Sequence, residues 1–188
     1  MSHTVRKLFI NFEKEEQWLN EMAAKGLALT EYSFAHYVFE ETSKGEYIYR
    51  IELLEDGIKG AKSMEYLQFM EEAGVEHVTM NKGHAVYNKW VIFRRRASEG
   101  PFTIYSDTDS KIKHYRRIHR LWISLALMEL ILGFMNVGLV ALNNISIISN
   151  INLVTGLLLI VLGAVFLLCS LPVRQKINKL QSDKLIRE

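Results

Sequence analysis

Between Arg120 and Arg174 the chain carries one charged residue, Glu129, and two apolar runs, Leu121 to Leu142 and Leu153 to Leu171. An α-helix rises about 1.5 Å per residue, so roughly 20 residues cross a hydrocarbon core about 30 Å thick. Each run meets that requirement, which predicts two transmembrane helices. Burial of both as core helices of a soluble protein is the alternative, and their length and uniform apolarity argue against it. About 120 residues precede the first run, room for one small domain.

The net charge of +2 hides an uneven distribution. Residues 1–96 hold 13 Lys or Arg against 15 Asp or Glu, residues 97–120 hold five against three, and residues 172–188 five against two. Lys111, Lys113, Arg116, Arg117 and Arg120 stand before the first span and Arg174, Lys176, Lys179, Lys184 and Arg187 after the second, while residues 143–152 carry no charge. Basic flanks resist translocation, so a two-pass cell-membrane protein with both termini cytoplasmic is expected. The N-terminal MSHTVRKLFINF lacks a long apolar stretch followed by small residues, so no cleavable signal is expected. The single Cys169 lies within the second run, where a thiol behaves as a small apolar group. The expected organisation is a cytosolic domain over 1–96, a linker and basic juxtamembrane helix over 97–120, spans at 121–142 and 153–171, an external loop at 143–152 and a basic cytosolic tail over 172–188 closed off from the span by Pro172.

If the first span ends at Asn143 and Asn144, Glu129 lies near its middle; continuation through Ile148 would bring it toward the cytoplasmic interface. The first register is preferred. An ionisable group in a span is a functional-site hypothesis by default, and neither span has a basic residue to pair with it. A role in helix pairing is the plainer reading. Gly133, Gly138, Gly156 and Gly163 offer surfaces for close helix packing.

The water-soluble part repeats itself. Trp18-Leu19, Met22 and Gly26 recur 48 residues later as Tyr66-Leu67, Met70 and Gly74. Leu and Met share a helical face, and the glycine sits where a left-handed residue ends a helix. Strand-like alternation surrounds both copies: Leu8, Ile10 and Phe12; Leu27 and Leu29; Tyr47, Tyr49, Ile51 and Leu53; and Val86 to Phe93. Thr42 to Gly45 reads as a hairpin turn, residues 81–83 as an extra hairpin and Phe102 to Tyr105 as an edge strand. The predicted class is α+β, a ferredoxin-like βαββαβ plan with two helices on one face of an antiparallel sheet, followed by the transmembrane hairpin.

No phosphate-binding loop, nucleophile elbow or HExxH is present, and the six histidines show no metal-binding spacing. No enzyme activity and no cofactor are expected. Lys111, Lys113, Arg116, Arg117 and Arg120 are assigned to anionic lipid headgroups rather than to nucleic acid, because juxtamembrane cations gain about 1 kcal/mol each at an anionic surface. Tyr32, Phe34, Tyr37, Phe39, Tyr47 and Tyr49 exceed what a small core needs and are the predicted face for a protein partner, a small ligand or a second copy.

Arg6 to Phe9 leading into Glu15 to Met22 and Lys25-Gly26, the Gly45 to Arg50 strand, Tyr66 to Gly74, and Ile104 to Asp107 together resemble the bacterial domain of unknown function 2812 family, over roughly residues 5–117. Leu27 and Val75 stand where many members have Trp. The resemblance implies C-terminal spans and a genomic setting beside PadR-like transcriptional regulators, and it brings no catalytic residues. The expected function is therefore a membrane-anchored regulatory or sensory protein, with an accessory subunit of a transporter or other membrane assembly as the alternative.

Overall fold

Asn11 starts the first helix. Its side chain accepts hydrogen bonds from the backbone N–H groups of Glu13 (2.9 Å) and Lys14 (3.3 Å), two of the donors a helix start leaves unpaired. The computed structural model describes residues 2–33, 35–80, 89–105, 107–142 and 146–187. The chain forms two compact units, Met1–Ser106 and Asp107–Glu188. The first runs β1 (Ser2–Arg6), α1 (Phe12–Ala24), β2 (Leu27–Ser33), β3 (His36–Glu41), β4 (Tyr47–Leu53), α2 (Ala61–Glu72), β5 (Glu76–His77), β6 (Thr79–Met80) and β7 (Trp90–Arg96).

The repeat is a structural one. Leu19, Met22, Leu67 and Met70 are all buried, and Gly26 (φ +87°) and Gly74 (φ +77°) end the two helices in the left-handed region. The Gly26 site has a second demand, since a Cβ there would lie 2.9 Å from the Thr42 carbonyl oxygen. Each repeat is strand, helix, strand, strand, and each hydrogen-bonds its strands in the same antiparallel order, first, last, middle: β1-β3-β2 and β4-β7-β5. β6 adds a short parallel edge to β2.

The strands are thus divided between two sheets where the ferredoxin-like reading expects one. The reason lies at β4, whose outer edge is taken by side chains of α1. Asn20 Nδ2 donates to the Tyr49 carbonyl (3.1 Å) and Asn20 Oδ1 accepts from the Tyr49 N–H (2.9 Å). One turn away, Glu16 accepts from the Ile51 N–H (2.9 Å) and from Arg50 (3.3 Å). Side-chain amide and carboxylate take the place of a neighbouring strand, which satisfies the edge and blocks further pairing.

Other expectations change with it. The first strand is Ser2–Arg6, and Leu8 and Ile10 are exposed in a loop whose Phe9 packs against Trp18. The turn at Thr42 to Gly45 exists, with Gly45 at φ +69°, but it passes the chain from one sheet to the other and makes no hairpin. Residues 102–105 join no ladder; Phe102 instead buries itself in the second core with Leu54, Leu67, Met70, Val75, Val91 and Phe93. The first core gathers Leu19, Met22, Leu29, Phe39, Tyr49, Ile51 and Ile92. The hairpin at 81–83 lies outside the described residues.

The second unit is two antiparallel helices, α3 (Thr108–Leu142) and α4 (Ser146–Arg187), both long and apolar enough to cross a membrane. The basic segment and the first span are one continuous helix. Residues 146–152, expected in a loop, open α4, and residues 172–187, expected as a tail, continue it. Pro172 sits inside α4 because packing on both sides outweighs the lost N–H: Ser170 and Ile177 are buried against the neighbouring helix. Gly156, Gly163, Ser170 and Ile177 recur every seventh residue along that buried seam, the spacing of a left-handed helix pair.

Candidate functional site

Burial removes most of the predicted aromatic face. Tyr32, Tyr37, Phe39 and Tyr49 belong to the first core, with Phe39 and Tyr49 wholly enclosed. Phe34 lies outside the described residues. Only Tyr47 is partly open, and the Arg94 guanidinium lies 4.7 Å from its ring centre. The count of aromatics misled because the sequence does not reveal that two sheets, and not one, need filling.

What these tyrosines do is hold the sheets together. The pairing of β2 with β3 slips between Leu29 and Glu31, a bulge that leaves Thr30 without a ladder partner while Leu29 stays opposite Phe39. Tyr49 Oη accepts the Leu29 N–H at 2.8 Å, and Arg94 Nη1 donates to the Leu29 carbonyl at 3.0 Å. Arg94 is itself anchored on Glu76, at 2.7 Å. Burial alone would pull its guanidinium pKa down, but the Glu76 hydrogen bond leaves it above the ordinary value.

Two acids sit among phenols. Glu15 accepts from Tyr37 Oη at 2.7 Å; burial raises the Glu15 pKa and the phenol offsets part of that rise. The Tyr37 hydroxyl is pushed up, first by burial and then by the Glu15 charge. Glu52, 5% exposed, accepts from Tyr66 Oη (2.8 Å) and Tyr105 Oη (2.5 Å). Sequence reading missed it. The signal was available in the alternation of β4, where Tyr49 and Ile51 point into the first core and leave Glu52 facing the second. Among the described residues no group of three or more His, Cys, Asp or Glu could hold a metal ion.

In the helical unit, the seam is closed by glycine. A Cβ at Gly133 would lie 3.0 Å from the Gly156 carbonyl oxygen, one at Gly156 would lie 2.8 Å from that of Gly133, and one at Gly163 would meet Leu130 and the carbonyl of Ala126. Gly138 faces open space. At one end of the pair, Trp122 packs on Phe166 (5.7 Å), Lys176 lies 5.0 Å from the Tyr115 ring centre, and Lys184 pairs with Asp109 at 2.9 Å. A cavity of about 430 Å³ lies beside that pair, lined by Asp109, Ile112, Lys113, Arg116, Gln181, Lys184 and Leu185. Lys111, Lys113, Arg116 and Arg120 are exposed and Arg117 partly so, all in the helical extension beyond the apolar run. Glu129 is partly exposed and has no ion-pair partner among the described residues.

A family model described as a protein of unknown function, DUF2812, matches residues 11–127. No curated protein and no solved structure matches the chain.

Proposed function

The chain belongs to the DUF2812 family of proteins of unknown function, and from that premise we propose a membrane-anchored, non-enzymatic regulatory or sensory protein whose cytosolic α+β unit binds a protein partner or small ligand. One observation carries the anchoring. Leu127, Ile131, Phe134, Met135, Leu157, Leu158, Val161 and Leu168 point outward from a helix pair whose inner seam is already filled, and such a surface is stable facing lipid. The ten Lys and Arg of the helical unit all stand at its open end, and this supports a reading with both termini in the cytoplasm.

Headgroup contact narrows to part of the predicted set. Lys111 is nine residues, about 14 Å, up the helix from Arg120, and beyond a Debye length of about 8 Å its attraction to lipid is largely screened. Arg116, Arg117, Arg120 and Arg174 are the cations within reach; Lys111 and Lys113 are left to solvent or a partner. For recognition, the partly exposed Tyr47 and the exposed Met64 and Phe69 of α2 replace the buried strand aromatics. The neighbourhood implied by the family resemblance makes a PadR-like regulator a candidate for the same circuit.

Crosslinking in native membranes followed by mass spectrometry tests the reading. Crosslinks from the α+β unit to a regulatory protein, lost in Met64→Ser with Phe69→Ser, are the expected result. Crosslinks confined to α3 and α4 and a transporter would favour the accessory-subunit reading.

A further inference from the structure

A second stripe runs along α3 beside the glycine seam. Leu125, Leu132 and Leu139 are spaced by seven, and Glu129 and Asn136 are spaced by seven between them, giving the alternating steps of four and three that keep one face of a helix on a partner helix. The seam to α4 uses other positions: Ala126, Leu130, Gly133 and Val137. The stripe lies beside that seam and is open in part, with Leu125 half-buried. Leu132 and Leu139 are 42% and 43% exposed, and Glu129 and Asn136 are partly exposed. Asn136 donates one N–H to the Leu132 carbonyl at 2.8 Å, which leaves its oxygen and second N–H without a partner among the described residues.

We propose that this stripe is the interface of a homodimer within the membrane, α3 against α3 of a second copy, parallel, about a twofold axis along the membrane normal. The inference rests on the membrane placement proposed above. The two polar residues identify the occupant. Under such a twofold each residue meets its own counterpart at the same depth, so the interface needs groups that are at once donors and acceptors. A carboxamide is one, and a carboxylic acid facing a carboxylate is another. Neither span holds a Lys, Arg or His that could pair with Glu129 within the chain. Lipid offers Glu129 and Asn136 nothing, whereas a second copy supplies two hydrogen-bonded layers alternating with three leucine layers.

The test uses the full chain in mild detergent, carrying Cys169→Ser so that introduced cysteines stand alone. Sedimentation should show a dimer, and oxidation should crosslink Leu132→Cys but not Phe134→Cys, which lies on the lipid side. Glu129→Leu with Asn136→Leu should lose about tenfold or more in dimer affinity, the scale of one to two interhelical hydrogen bonds, while Glu129→Gln keeps the dimer. Unchanged helix content of the full chain by circular dichroism in the same detergent shows that the double variant is folded. A chain recovered from the membrane fraction that stays monomeric overturns the pairing alone, as do equal crosslinking at both positions and a double variant that dimerises normally. A chain that fractionates with soluble proteins overturns the membrane reading as well.

Discussion

Glu15 shows how one side chain makes stability depend on pH. Its folded-state pKa is raised, so the folded protein binds a proton more tightly than the unfolded chain does. The contribution is present below the unfolded value of 4.5 and is lost as pH rises through the folded value. Glu15→Gln should therefore flatten the fall in urea midpoint between about pH 4 and pH 7. Tyr37→Phe, which removes the phenol that steadies the carboxylate, should destabilise more at pH 7 than at pH 4. Equal loss at both values would remove Glu15 from the account. The residue-level signals legible in the sequence were those with local causes: the glycines ending both helices, and the lone Glu129. Tyr37 and Glu15 are 22 positions apart, and no local pattern pairs them.

At the scale of elements, the division into two sheets rests on two side chains of α1. Asn20→Ala strips the inward-facing strand β4 of a donor and an acceptor at Tyr49, a wholly buried residue, and should lower unfolding free energy by about 1–3 kcal/mol in a denaturant titration. Asn20→Asp, which keeps the acceptor and loses the donor, should fall between the two. The repeat was legible from Leu19, Met22, Gly26 and their counterparts, and so was the α+β class. The partition was not, because a strand's alternation says which face is apolar and nothing about what meets its edge. Pro172 misled for a related reason: proline reads as a stop only while the packing around it is unknown. In the helix pair, Gly133→Val drives a branched side chain into the Gly156 backbone and should cost about 1–3 kcal/mol, while Gly138→Val, in open space, should cost little. Thermal unfolding in detergent separates the two variants.

Taken whole, the chain joins an α+β unit to a helical pair whose composition was the clearest signal in the sequence and whose continuation past the apolar runs was the least clear. The expected topology makes a direct claim about labelling. In intact cells lacking Cys169, Ser146→Cys should react with a membrane-impermeant maleimide, and Asp183→Cys should react only after lysis. The reverse pattern would invert the orientation. The seam of the pair also varies along its length. Two glycines meet midway along the apolar part of the pair, then Ala126 meets Gly163, then Trp122 meets Phe166. Helices set apart by aromatic rings cannot stay as close as helices touching through bare backbone, so the pair is tightest at its glycines and loosens toward its basic end.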